Sequence, residues 1–226
     1  MKSYIVYYYV NFRRIFMCDY VSKKNLSYPK KVFINWINKV QKEVKSNYGL
    51  TFSFLPIGSG SRNMVIKKCN ENYFNLDYQI VLQKKGNLDI NNCKKIKNVI
   101  RLAFDNNKPF DDFINCEDST QALTIKNLNQ RYGFDIIITY KHKDDYYILR
   151  NNKNSNYNNN NDYEWAKQSS LKEFRKKIDM INGPKMWNKL RDNYKNKRHK
   201  YKNNNSKKSY QILNESLSEI LHKKEL

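Results

Sequence analysis

Apolar positions along the chain recur first at helical and then at alternating spacing. In residues 28–49, Val32, Phe33, Trp36, Ile37, Val40 and Val44 fall three and four residues apart, which predicts an amphipathic helix stopped by Gly49. Residues 50–57, "LTFSFLPI", alternate and then run apolar, as a strand does. A small-residue turn follows, Gly58-Ser59-Gly60-Ser61. A second strand is predicted over 73–83, with Asn75, Asp77 and Gln79 on one face and Leu76, Tyr78 and Ile80 on the other. Cys93, Ile96, Val99, Ile100 and Ala103 share a face and predict a second helix. A strand is expected around 120–126, then a hairpin of strands 133–140 and 146–150. An Asn-rich run fills 151–162 and reads as a linker. Residues 163–208 are expected to be helical with a break at Gly183-Pro184, and "SYQILNESLSEIL" reads as a C-terminal amphipathic helix. The aromatic segment 4–10 reads as a strand or a packing segment. No internal repeat is visible.

Composition changes this picture in one respect. The 226 residues carry 43 Lys+Arg against 21 Asp+Glu, a formal net charge of +22. A chain so positive is drawn to polyanions such as nucleic acid and nucleotides. Residues 163–208 concentrate the charge, with 15 Lys+Arg against 4 Asp+Glu. They also carry Trp165, Trp187, Tyr194 and Tyr201, which either stack bases or build a core. A solvated helical face is the plain reading of the same lysines. Four cysteines, Cys18, Cys69, Cys93 and Cys116, are widely spaced with no CxxC pair, which favours free thiols in a reducing cytoplasm over a zinc site or disulfide framework. No apolar run is long enough for a transmembrane helix, and the N-terminal apolar run is broken by Asn11, Arg13 and Arg14. A cytoplasmic protein without a membrane partner is expected.

The candidate chemistry lies in the polar alternation. Asp77 sits in a strand that otherwise looks buried, and Asp135 sits between Phe134 and Ile136 in the same setting. An acid so placed is costly unless paired or bound to a cation. Two acid-bearing strands side by side would converge their carboxylates on a hard metal ion. The Gly-Ser turn would offer backbone N–H groups and a hydroxyl to a phosphate, with Arg62 just beyond it. These are the parts of metal-assisted nucleotidyl transfer. Taken alone, the turn reads as a flexible connection, and each acid as a surface position.

The ordered pieces "GSGSRN", "FNLDYQIVL" and "FDIII" resemble the DNA-polymerase-β-type nucleotidyltransferase superfamily, over about residues 32–150 and closest to small bacterial members with a helical C-terminal region. The resemblance implies an α/β (α+β) fold with a mixed sheet and flanking helices. It implies NTP as donor and Mg²⁺ (or Mn²⁺) as cofactor. Gly58, Ser59, Gly60, Ser61 and Arg62 fall at the nucleotide-binding turn, and Asp77 and Asp135 at the second and third metal-binding acids. Asn75 stands where the family has its first acid, with Glu71 or Gln79 as possible helpers. The domain organisation expected is an N-terminal segment 1–30, a nucleotidyltransferase-like core 31–150, the linker 151–162 and a basic helical region 163–226. Two functions fit. One is transfer of a nucleoside monophosphate from an NTP to an acceptor. The other is a catalytically degenerate relative that binds RNA, DNA or a protein partner through 163–208.

Overall fold

A computed structural model of the chain describes residues 19–67, 73–151, 163–168, 172–201 and 207–222. The segment 4–10, Cys18, Cys69, Glu71 and the Asn-rich run beyond Asn151 lie outside them. The chain divides into two compact units, one of Ser22–Val65 with Tyr73–Ser169 and the other of Met1–Val21, Ile66–Asn72 and Ser170–Leu226.

The first unit is a mixed sheet with helices on one face. Helix α1, Lys23–Tyr48, begins five residues earlier than the apolar spacing suggested, because Ser22 caps it by accepting the Asn25 N–H at 3.2 Å. Pro29 lies inside the helix and is buried. Gly49, at φ 66, ends it. Strand β1 is Thr51–Pro56, a 3₁₀ turn spans Gly60–Arg62, and β2 is Phe74–Lys84. Helix α2 is Cys93–Asn106. Strands β3 (Glu117–Asp118), β4 (Leu123–Asn127), β5 (Tyr132–His142), β6 (Asp145–Asn151) and β7 (Tyr163–Lys167) complete the sheet. The order is β1-β2-β5-β4-β3, with β6 beside β5 and β7 beside β6. Only β2 and β5 run parallel among the paired strands of the described residues. That pair is joined through α2, as a parallel connection requires. This is the mixed α/β architecture expected.

Alternation divides the two central strands cleanly. Leu76, Tyr78 and Ile80 of β2 and Phe134, Ile136 and Ile138 of β5 are buried. Phe33 of α1 stacks on Tyr78 at 3.7 Å and meets Phe134 at 4.9 Å. Trp36 packs edge-on against Phe104 and donates its indole N–H to the Phe104 carbonyl at 3.0 Å. Each such side chain contributes about 1.5–3 kcal/mol by leaving water. The opposite face of β2 and β5 carries the polar residues.

Residues 163–167, placed by sequence at the start of a helical stretch, instead form the edge strand β7. Trp165 donates its indole N–H to the Ile90 carbonyl at 2.7 Å and packs edge-on against Tyr140. It is a packing residue of the sheet unit. The second unit holds α3 (Lys172–Asp179), α4 (Gly183–Lys200) and α5 (Ser209–His222); the expected break falls at residues 180–182, just before Gly183-Pro184, which open α4. Leu190, Tyr194, Leu213 and Leu217 are buried, so Tyr194 is core as well. Several lysines here meet acids: Lys197 contacts Glu219 at 2.5 Å and Glu215 at 3.6 Å, Lys207 contacts Glu215 at 2.5 Å, and Lys195 contacts Asp19 at 2.5 Å. No helix among the described residues is long and apolar enough to cross a membrane.

Candidate functional site

The polar face of the sheet is organised by strand register. Asp77 of β2 lies directly opposite Asp135 of β5, and Asn75 lies opposite Gly133. Residues paired in register share a face, so both carboxylates and the Asn75 amide face the same way. Burial first, and then the charge of Asp135, push the Asp77 carboxyl up from its ordinary 3.8 to about 7. Asp135 is held at both oxygens. Asn75 Nδ2 donates to Oδ2 at 2.6 Å and Thr124 Oγ1 donates to Oδ1 at 2.7 Å. Gln79, next on the same face, donates to Thr139 Oγ1 at 2.8 Å, and the Thr139 hydroxyl donates to the Ile80 carbonyl at 3.0 Å.

The Gly-Ser turn closes on this pair from the β1 side. Ile57 N–H donates to the Asp77 carbonyl at 2.9 Å, which ties the end of β1 to the acid strand. Gly58 follows at φ +60, and a Cβ there would stand 2.5 Å from Asp77 Oδ2. Only glycine allows both the conformation and the approach. The N–H groups of Arg62 and Met64 donate to the Ser59 carbonyl at 3.2 and 2.9 Å. Met64 is fully buried and anchors the turn. Ser61 Oγ donates to the Gly58 carbonyl at 2.8 Å, and Arg62 Nη1 reaches the same carbonyl and Ser61 Oγ at 3.3 Å each. The structure therefore brings Gly58, Asn75, Asp77 and Asp135 together, while the Ser61 and Arg62 side chains fold back onto the turn.

The donor chemistry suits one hard cation. Two facing carboxylates, one of them costly to ionise, are the arrangement that a dication relieves. Asn75 presents its nitrogen to Asp135, and its Oδ1 is buried without a hydrogen-bond partner. No group of three or more His, Cys, Asp or Glu gathers among the described residues.

Solved structures resemble this chain across most of its length. Vibrio cholerae DncV in its 3'-deoxy ATP bound form superimposes with a TM-score of 0.56 at 10% identity, covering 89% of this chain and 53% of that one. The STING-associated CdnE c-di-GMP synthase of Capnocytophaga granulosa gives a TM-score of 0.56 at 14% identity, covering 88% and 60%. This chain shares the fold of these structures, which belong to the polymerase-β-type nucleotidyltransferase superfamily. Escherichia coli DncV in its 3'-deoxy GTP bound form adds a TM-score of 0.54 at 9% identity, over 89% of this chain and 54% of that one. Identities this low establish a common fold, and this chain spans only a little more than half the length of those structures. No protein-family model matches the chain, and no curated protein does.

Within this fold, two residues escaped the reading from sequence. Thr124 holds Asp135 from β4, and Gly133 makes room beside Asn75, where a Cβ would stand 2.9 Å from Asn75 Oδ1. Thr124 carried a signal, because it alternates with Leu123 and Ile125 and so lies on the polar face of its strand.

Proposed function

We propose that this chain is a metal-dependent nucleotidyltransferase of the cytoplasm that moves a nucleoside monophosphate from an NTP to an acceptor hydroxyl. The observation that carries the reading is the register pairing of Asp77 with Asp135 beside a glycine turn that touches Asp77. Asp77 and Asp135 would hold Mg²⁺ or Mn²⁺. When bound, the ion neutralises charge that develops on the transferred phosphoryl group. The backbone of Gly58, Ser59 and Gly60 and the side chains of Ser61 and Arg62 would meet the triphosphate, which requires Ser61 and Arg62 to leave the Gly58 carbonyl. Asn75 and Thr124 orient Asp135 through its two oxygens. The bond from the acceptor oxygen to the α-phosphorus forms as the bridging bond to pyrophosphate breaks, in line. The neighbours DncV and CdnE, solved with nucleotides or named as a cyclic dinucleotide synthase, support a nucleotide as acceptor.

The second reading is a degenerate relative that binds nucleic acid or a partner through the basic residues of 163–208. Asn75 favours it, because an amide brings no negative charge to the place of a third acid. One experiment decides between them. The protein is incubated with labelled NTPs, Mg²⁺ or Mn²⁺, and either unlabelled nucleotides or total RNA. Label transferred by wild type and lost in Asp135→Asn supports the enzyme. No transfer under any condition, together with retention of RNA at low salt, supports the degenerate binder.

A further inference from the structure

The row of side chains that contains the two acids continues past them. Asp135 is in register with Thr124 of β4, and Thr124 with Glu117 of β3. In the adjacent row, Asn75 is in register with Gly133, and Gly133 with Lys126. Lys126 and Glu117 therefore stand on the acid-bearing face, on the side of Asp135 away from the glycine turn. Two strand spacings put Glu117 about 10 Å from Asp135 in the sheet. Lys126 Nζ meets Glu117 Oε2 at 2.8 Å, with the two side chains 37% and 54% exposed. An ion pair so open to water adds little stability, so the fold does not account for its position.

The chemistry of in-line transfer gives that position a use. The attacking and leaving groups must lie on opposite sides of the α-phosphorus. A triphosphate held at Gly58 lies on the Asp77 side. The acceptor then approaches over Asp135, where Lys126 and Glu117 are the charged side chains it meets beyond Thr124. Lys126 suits a phosphate oxygen, and Glu117 suits hydroxyl or amino donors. We infer that Lys126 and Glu117 form the acceptor subsite, and that they select a nucleotide by its phosphate and by its ribose hydroxyls or base amino group. This rests on the nucleotidyltransferase reading above.

The test is equilibrium dialysis with Mg²⁺ and labelled α,β-methylene analogues of ATP and GTP, which bind without reacting. Wild type should bind two molecules per chain, one tighter than the other. Lys126→Glu should weaken the second by about tenfold or more, the worth of a charge-assisted contact, and leave the first unchanged. The double variant Lys126→Glu/Glu117→Lys keeps an ion pair across the same strands and should show the same loss, which separates recognition from folding. If both sites persist in the variants, the subsite is wrong while the proposed activity stands. If the tighter site is lost instead, the pair serves the donor and the inference falls. A single site in wild type rules out a nucleotide acceptor. No binding at all in wild type overturns the proposed activity, and this inference with it.

Discussion

The carboxyl of Asp77 offers the sharpest physical test of the site, because it needs neither substrate nor acceptor. Burial and the facing Asp135 raise it from 3.8 to about 7. At about 1.36 kcal/mol per tenfold change in proton affinity, that corresponds to about 4 kcal/mol against the ionised form in the folded protein. The sign follows from linkage. A carboxyl that binds its proton more tightly when folded contributes stability that is fully present below pH 3.8 and is lost as pH rises through about 7. Asp77→Asn has no such proton to lose. The variant and the wild type should therefore be nearly equal in stability close to pH 4. They should diverge as pH rises, and differ by about 4 kcal/mol in the variant's favour above pH 7, on the order of 10 °C in Tm for a chain of this length. Urea and thermal denaturation of both proteins in EDTA, from about pH 4 to about pH 8, measure the difference directly. Repeating the series with Mg²⁺ should restore wild type and leave the variant where it was, since a dication replaces the proton only where both acids remain. A constant difference across the pH range would refute the buried, facing arrangement of Asp77 and Asp135.

Three further perturbations follow from the same geometry. Asn75→Asp should destabilise the metal-free protein by about 1.5–3 kcal/mol, because it exchanges the 2.6 Å bond to Asp135 for a like charge, yet it should tighten Mn²⁺ binding; denaturation with EDTA and isothermal titration with Mn²⁺ read the two opposite signs. Gly58→Ala should lower metal affinity at least tenfold by pressing a Cβ onto Asp77 Oδ2 and straining φ +60, measured by the same titration against wild type. Lys97→Met should cost about 3–5 kcal/mol in urea denaturation, because Lys97 is buried with its Nζ 2.5 Å from Asp118 Oδ1 and donating to the Ser119 carbonyl at 2.9 Å; removing it leaves Asp118 without its ion-pair partner.

Much of this architecture was legible in the sequence because it is written in local periodicity. The helices α1 and α2 and the strands β1, β2, β5 and β6 follow spacings that a few neighbouring residues define. The elements misread are those whose reason is distant. β7 has five residues and enters the sheet only by pairing with β6 across the Asn-rich run, so its Tyr163–Trp165 alternation was lost in a lysine-rich stretch. Lys97 lies beside Ile96 on the buried stripe of α2. Nothing within the helix announces its partners, Asp118 and the Ser119 carbonyl, which lie more than twenty residues away.

The site shows the same division at atomic scale. The two-residue period of a strand guarantees that Asn75 and Asp77 face one way, so an amide on the same face as the acid is evident from sequence. What the period cannot supply is the offset between β2 and β5. Their parallel register sets Asp77 opposite Asp135 and Asn75 opposite Gly133. Asn75 therefore reaches Asp135 along the diagonal, and Gly133 leaves room for the Tyr73 hydroxyl and for Asn75 Oδ1. An amide in that position does two things that a carboxylate could not. It donates to Asp135 through Nδ2, and it adds no charge beside an Asp77 already pushed up to about 7. The pair of acids is thereby held in place before any cation arrives, at the expense of a charge that would have bound the cation more tightly. Whether that exchange leaves an enzyme tuned to one metal ion or a binding protein on the same frame turns on Asp135. If its charge is needed for label transfer, Asn75 is a positioning residue of a working site. If no label moves, the 2.6 Å bond is the feature that closed the site.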